Sequence, residues 1–407
     1  MEVYSSLGPG TQHSTNLRNA GSDKKIHMKI TLAIILLFLS THLPAQTSNE
    51  SPVNGPTKIA IDSKDNLYVL LAYGIAKISP DGQINRFTKN NPNVIGGKFN
   101  NSTYLDRQWH SIVIDAKDII YIAERDDKVI YKMVFLENGT ITFDIYAGDI
   151  WKYGVQDGPR EQALFNGISD MTIDRLGNIY VTDSYAKIRE EVEKQFITDN
   201  FYQKDKSLKY TKRFSLLRKL SATGNVTTIK NAEGKYVVLN GASGIAADND
   251  GNIVYTTGGV GRSVERINVN TGAFIHVAGK PYKREFCPVY TPGDTSVAEL
   301  FTPHAVLVNK HDEIIFTDER NHRVTKIANS KVMTLAGNNL IQPCQQNIGG
   351  RAEEGHKDGK ALTALFNFPK GIAYDSKGNL FIADQANHCI RKLSVDGVVS
   401  SFTKFVK

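Results

Sequence analysis

Residues Leu365–Phe402 read LFNFPKGIAYDSKGNLFIADQANHCIRKLSVDGVVSSF. The stretch breaks into four short apolar runs. Gly371–Tyr374 is followed by a turn at Asp375–Gly378, and Asn379–Ala383 by a loop at Asp384–His388. Cys389–Leu393 is followed by a turn at Val395–Gly397, and Val398–Phe402 closes the set. The runs are four or five residues long, rich in Ile, Leu, Val and Phe, and bounded by Gly, Asp or Asn. That is the pattern of strands in an antiparallel meander. One such sheet cannot bury both of its faces alone, so it needs copies of itself.

The chain supplies them. Asp375, which closes the first run, has counterparts at Asp62, Asp115, Asp174, Asp248 and Asn309. The second run ends on an acid at Glu124, Asp183, Asp318 and Asp384. Third runs follow, as at Val129–Met133 and Val324–Ile327, and fourth runs end in Ala-Gly at Ala147-Gly148, Ala278-Gly279 and Ala336-Gly337. Six units of this length predict a propeller, in which radial repetition leaves only short, protected edges. The expected fold is all-β, a six-bladed β-propeller of four-stranded antiparallel blades. The blades are expected at about 56–88, 104–147, 164–229, 240–278, 300–336 and 365–403, within a domain of residues 46–407.

Pro369–Ile390 nearly meets the pattern Pro-x-Gly-Ile-Ala-x-Asp-x-x-Gly-Asn-Leu-Tyr-Val-Ala-Asp-x-x-Asn-His-x-Ile, and Asn321-His322-Arg323-Val324 repeats its tail. The chain thus resembles the NHL-repeat family over roughly residues 56–403. What the resemblance implies is a fold, because the family includes binding modules, scaffolds and a few enzymes.

The one strongly apolar run, Ile30–Leu39, is too short to span the roughly 30 Å of a bilayer core as a helix. Lys24, Lys25 and Lys29 precede it and Leu43-Pro-Ala45 follows, so residues 28–45 read as a secretory signal peptide cleaved after Ala45. About 27 polar residues stand before it, so Met28 reads as the true start and residues 1–27 as a start-site artefact. No Cys follows the run, which leaves no lipid-attachment site. The mature chain is expected to be soluble and exported, to the periplasm or beyond.

Of the three cysteines, Cys389 falls on a strand and reads as a buried small hydrophobe. Cys287 and Cys344 each follow an Ala-Gly by a few residues, in matching loops of neighbouring blades. Either they form a disulfide, which an oxidising compartment permits, or they are two loop thiols. The formal charge is +7, of which residues 187–219 alone carry +5. The propeller body is therefore near neutral. The basic stretch interrupts blade three at about 187–216, and its Phe, Tyr and Leu alternate with Lys and Arg. It reads as an extended hairpin or a short helix with a basic face, including Lys209, Lys212 and Arg213. An exported chain seldom meets nucleic acid, so a solvated decoration or a docking arm for an acidic glycan, an envelope surface or a protein is expected.

In a meander the link from strand four to the next blade shares a face with the loop between strands two and three. The Cys287 and Cys344 loops, the insertion and the start of every inner strand all fall on that face. Elaborated loops on a rigid scaffold are where binding usually lives. The opposite face has tight Asp-Gly turns, which turn chemistry explains without calcium. The residue that starts each inner strand gives a ring of six: Thr57, His110, Ser169, Ser243, His304 and Lys370. Asp170 follows Ser169, at a place held by Gly or a small residue in other copies. A polar ring at a channel mouth is a small-ligand site. Trp109-His110-Ser111 and Pro303-His304-Ala305 resemble the Pro-His-Ser segments that carry the zinc ligands of the peptidylglycine amidating lyase. That site uses three histidines on alternate blades, whereas this chain has two on opposed blades, and zinc catalysis needs about three protein ligands. His322 and His388 read as loop-fixing parts of the repeat.

Two functions stay open. One is an exported binding module with its ligand over the ring and beside the basic arm. The other is an enzyme, a lyase or lactone hydrolase, with His110 or His304 as base or metal ligand. The expected partner is a protein, peptide or glycan, with no nucleic acid, no transmembrane segment in the mature chain and a monomeric state. No cofactor is expected; zinc or calcium is the alternative.

Overall fold

The computed structural model describes residues 53–87, 94–96, 108–136, 138, 140–185, 196–197, 214–258, 261–280, 290–338 and 353–403. Six antiparallel sheets form a six-bladed propeller, each built on four strands in sequence order. Blade one is Lys58–Ile61, Leu67–Leu70, Ile75–Ile78 and Ile84–Phe87. Blade two is Ser111–Ile114, Ile120–Glu124, Val129–Phe135 and Ile141–Ala147. Blade three is Ile168–Ile173, Ile179–Tyr185, Phe214–Leu220 and Asn225–Thr228. Blade four is Ala242–Ala247, Ile253–Thr257, Ser263–Ile267 and Phe274–Gly279. Blade five is Pro303–Val308, Ile314–Asp318, Arg323–Ala328 and Lys331–Ala336. Blade six is Pro369–Tyr374, Leu380–Asp384, Cys389–Leu393 and Val398–Ser401.

The chain buries both faces of every sheet. Alternate residues of a strand point to opposite faces, and here each face meets a different neighbour. In the second strand of blade one, Tyr68 and Leu70 pack against blade two, around Trp109 and Ile122. Leu67 and Val69 from the same strand pack against Phe381 and Ile390 of blade six. Four more clusters fill the remaining interfaces. Fully burying such a side chain contributes about 1.5–3 kcal/mol, so the wedge-shaped seams between blades are the core.

The turns between the first and second strands follow one scheme. Oδ1 of Asp375 accepts from the amides of Lys377 and Asn379, and the Asn379 side chain donates to Oδ2. Asp174 and Asp248 do the same. These carboxylates stabilise an Asx-type turn.

Blade three is the elaborated one. Tyr236–Asn240 adds to its third strand, pairing with Phe214–Leu216, and Phe196–Ile197 from the inserted stretch lies parallel to Tyr236–Val237. The rest of the insertion, including Lys209, Lys212 and Arg213, lies outside the described residues, as do Cys287 and Cys344. Among the described residues no strand is exchanged between blades one and six. The ring closes through side-chain packing and a few polar ties. The amide of Gly371 donates to the carbonyl of Thr57 at 2.9 Å. The amide of Gly55 donates to His388 Nδ1 at 3.0 Å. Ser376 donates through its amide and hydroxyl to Asp65. Among the described residues no helix is long and apolar enough to cross a membrane.

Candidate functional site

Strand register explains how the ring of six is displayed. In blades three to six the pairing of the first two strands slips at the start of the inner strand: at Ile168/Asp170, Ala242/Gly244, Pro303/Val306 and Pro369/Ile372. A bulge of this kind re-aims a side chain at a sheet edge. The re-aimed residues are Ser169, Ser243, His304 and Lys370. Threonines on the second strands hold the irregularity. Thr182 Oγ1 accepts from the amide of Asp170 and Thr317 Oγ1 from that of Ala305. Hydroxyls at this position of blades four and five also tie blades together. Thr317 donates to the carbonyl of Lys370 in blade six at 2.9 Å, and Thr256 to that of His304 in blade five.

All six ring residues are half-buried, and all six line one cavity of about 630 Å³. Gln108, Arg125, Ser184 and Ser215 complete its polar wall, with Lys58 and Trp109. Arg125 and Ser184 stand at the ends of second strands, so the mouth shares its face with the loops between strands two and three.

Asp170 sits one layer deeper, and this layer was only partly legible. The residues after the ring positions are Lys58, Ser111, Asp170, Gly244, Ala305 and Gly371. Three of them join. Asp170 Oδ1 accepts from Ser111 Oγ at 2.7 Å, and Oδ2 from Lys58 Nζ at 2.8 Å and from the Ile245 amide at 3.1 Å. One buried carboxylate thereby links four blades. Lys58 is a site residue that the ring pattern alone did not single out. Its signal was a cation at a place where four of the other five copies carry Gly, Ala or Ser.

The two histidines differ. His110 Nδ1 accepts from the amide of Arg125 at 3.4 Å and stands 3.9 Å from Glu124. Burial and the Arg125 guanidinium lower its pKa, and burial raises that of Glu124. Among the described residues His304 Nδ1 has no hydrogen-bond partner, and neither has Nε1 of Trp109. Burial first, then the ammonium groups of Lys58 and Lys370, push His304 down to about 3. The imidazole is neutral at physiological pH. Between about 3 and 6.5 the unfolded chain binds the proton that the folded chain refuses, so stability falls as pH drops through 6.5. We expect His304→Gln to flatten that fall in urea titrations between pH 7 and 5. Parallel curves for the two proteins would show a solvated imidazole instead.

Among the described residues no three His, Cys, Asp or Glu are grouped so as to hold a metal ion. His322 and His388 fix loops. Both are left-handed, at φ 50° and 51°, and their Nδ1 atoms accept from the amides of Phe368 and Gly55 in the next blade. Cys389 is a buried free thiol, and burial raises its pKa.

Known proteins share parts of this chain. The NHL repeat family matches residues 366–393, in blade six. Protein SUPPRESSOR OF QUENCHING 1, chloroplastic, of Arabidopsis thaliana is 31% identical over 159 residues, 38% of this chain and 14% of that protein. NHL repeat-containing protein 2 of Gallus gallus is 33% identical over 99 residues, 24% of this chain and 12% of that protein. The chain thus spans a small part of the length of either relative. An auxiliary nutrient binding protein from Bacteroides ovatus superposes with a TM-score of 0.54 at 18% identity, covering 86% of this chain and 70% of that one. That likeness is one of fold. The chain is a six-bladed β-propeller whose sixth blade carries a match to the NHL repeat.

Proposed function

We propose that this propeller is an exported binding module, taking a small polar ligand into the cavity at its channel mouth. The observation that carries the reading is the convergence of Thr57, His110, Ser169, Ser243, His304 and Lys370 on one cavity of about 630 Å³. That volume lies within the usual range of about 300–1,000 Å³ for small-ligand sites. The nutrient-binding description of the Bacteroides ovatus neighbour accords with a binding role. Export rests on the basic and apolar pattern of residues 24–45; residues 1–45 should be absent from the exported protein, and an N-terminal sequence that starts at Met1 would refute that processing, while a chain found only in the cytoplasm would refute export.

The test is a thermal-shift screen of the full chain against monosaccharides, hydroxy acids and dipeptides, followed by calorimetry on any hit. A ligand at a hundred times its Kd stabilises the folded state by about 2.7 kcal/mol. Replacing His110 and His304 together by Gln is expected to weaken the hit at least about tenfold, a loss of about 1.4 kcal/mol. The melting temperature without ligand should change little. Unchanged affinity in the double variant would move the site off the ring.

A further inference from the structure

The described residues include three aromatic side chains exposed over more than two-thirds of their surface: Tyr73 at 69%, Trp151 at 84% and Tyr153 at 72%. All three stand on the mouth face. Tyr73 is in the loop between strands two and three of blade one, and the other two are in the link from blade two to blade three. That link is held at both ends. The Gly148 amide donates to the carbonyl of Arg160 and the Gly154 amide to that of Phe165. Within it the Trp151 amide donates to Asp149 Oδ1 at 2.8 Å. Lys128 Nζ lies 5.5 Å from the centre of the Tyr153 ring. Lys128 belongs to the same loop as Arg125, which lines the cavity. Tyr153 thus lies against the loop that carries Arg125, and Trp151, two residues before it, lines a second cavity with Asp144, Tyr146 and Glu161.

Of the three cations on the cavity wall, Lys58 and Lys370 are paired and Arg125 is exposed. Lys58 pairs with Asp170 at 2.8 Å and Lys370 with Glu319 at 3.8 Å. Hydroxyls of Thr57, Ser169, Ser184 and Ser243 surround them. Such a wall offers donors and acceptors side by side, with Arg125 as its exposed cation. The shelf outside offers flat rings among polar neighbours, Asp149 and Lys152. A pyranose fits both parts, since it presents a face of C–H bonds to a ring and a rim of hydroxyls to paired charges. A large amphipathic ring held in place contributes contact area at low entropic cost.

We propose that the ligand is a neutral saccharide chain: one unit enters the cavity and the following units lie across Tyr153 and Trp151. The proposal rests on the cavity being the binding site, and deepens that reading. The chain carries two tryptophans, and Trp109 is buried, so Trp151 is a built-in reporter.

The experiment titrates the full chain with malto-, cello- and xylo-oligosaccharides of one to six units, an oligogalacturonate series and a set of decapeptides. Acrylamide quenching and calorimetry are read together. We expect at least one neutral series to protect Trp151 and to gain about tenfold in affinity between one unit and four. Trp151→Ala should abolish that gain and leave the monosaccharide affinity intact, while Lys370→Met should weaken every length. Binding of only the acidic series or only peptides overturns the proposal, as does a saturated complex whose Trp151 is still fully quenched. If Lys370→Met weakens binding and Trp151→Ala does not, the saccharide path fails while the cavity reading stands. If Trp151→Ala alone weakens binding, the cavity reading fails and takes the placement of the first unit with it.

Discussion

Replacing Arg391 by alanine is expected to cost about 3–5 kcal/mol of folding stability, the usual penalty for leaving a buried partner charge uncompensated. Arg391 is fully buried on the third strand of blade six. Nη1 donates to Asp384 Oδ2 at 3.0 Å and to the carbonyl of Leu365. Nη2 donates to Asp358 Oδ1 at 2.6 Å and to the carbonyl of Lys357. Its guanidinium also lies over the ring of Phe366, 5.2 Å from the centre. The side chain thus fastens the incoming link to the middle of the blade. Without it, Asp384 is a carboxylate with no exposure, held by the Asn367 amide and the Asn387 side chain alone. Urea midpoints of the two proteins measure the loss. A second variant, Arg391→Met with Asp384→Leu, removes both charges and is expected to recover most of it, since an apolar pair of similar volume is often no worse than a buried ion pair. A single-variant loss below about 1 kcal/mol, the range of exposed pairs, would mean that the pair is hydrated. Blade three repeats the device with Arg218, Asp183 and Asp157, so Arg218→Ala should behave alike.

The second large effect is expected at Gly371. A Cβ built there would stand 2.6 Å from Cα of Lys58 and 2.8 Å from the carbonyl oxygen of Thr57. Those are backbone atoms and cannot swing aside. Gly371→Ala must therefore push the inner strands of blades six and one apart, breaking the 2.9 Å bond from its amide to Thr57. Overpacking of this kind typically costs about 1–3 kcal/mol, occasionally more, and this site sits at the closure of the ring. Urea denaturation again gives the number. Gly244→Ala offers a comparison inside the ring, where the Cβ would meet the carbonyl oxygen of His304 at 2.3 Å. Wild-type stability in both variants would show that inner strands slide freely.

The repeat was legible because each copy carries its own turn chemistry. Asp375 and Asn379 close their turn by hydrogen bonds within five residues, so local sequence suffices to mark where one strand ends and the next begins. The ring of six was legible for the same reason: its members are fixed by phase within the repeat. The rest depends on partners distant in the chain. Asp170 meets Lys58, 112 residues away, and Arg218 meets Asp157, 61 residues away. No local pattern announces those pairs, although the paired segments Asp157-Gly158 and Asp358-Gly359 recur before Ala-Leu-Phe-Asn in blades three and six. The threonines that shape the bulges were visible as Thr182-Asp183, Thr256-Thr257 and Thr317-Asp318. Their role depends on a register slip that strand propensity does not encode. The aromatic shelf escaped because Trp151 and Tyr153 lie between repeats, where phase gives no guide to exposure.

Among the described residues the ring closes without exchanging a strand, and this has a mechanical consequence. A strand lent from one end of the chain to the last blade would be loaded in shear if the two ends were pulled, with all its ladder bonds resisting at once. Here the first and last blades meet through the side chains around Val53, Leu67, Phe381 and Ile390 and the few polar ties at Gly371, Gly55 and Ser376. Tension applied between residues 53 and 403 reaches that seam first and opens it contact by contact, like a zip. Forced unfolding is governed by the rate of crossing such a barrier. The propeller should therefore part at low force at this seam, then shed its blades one after another from both ends.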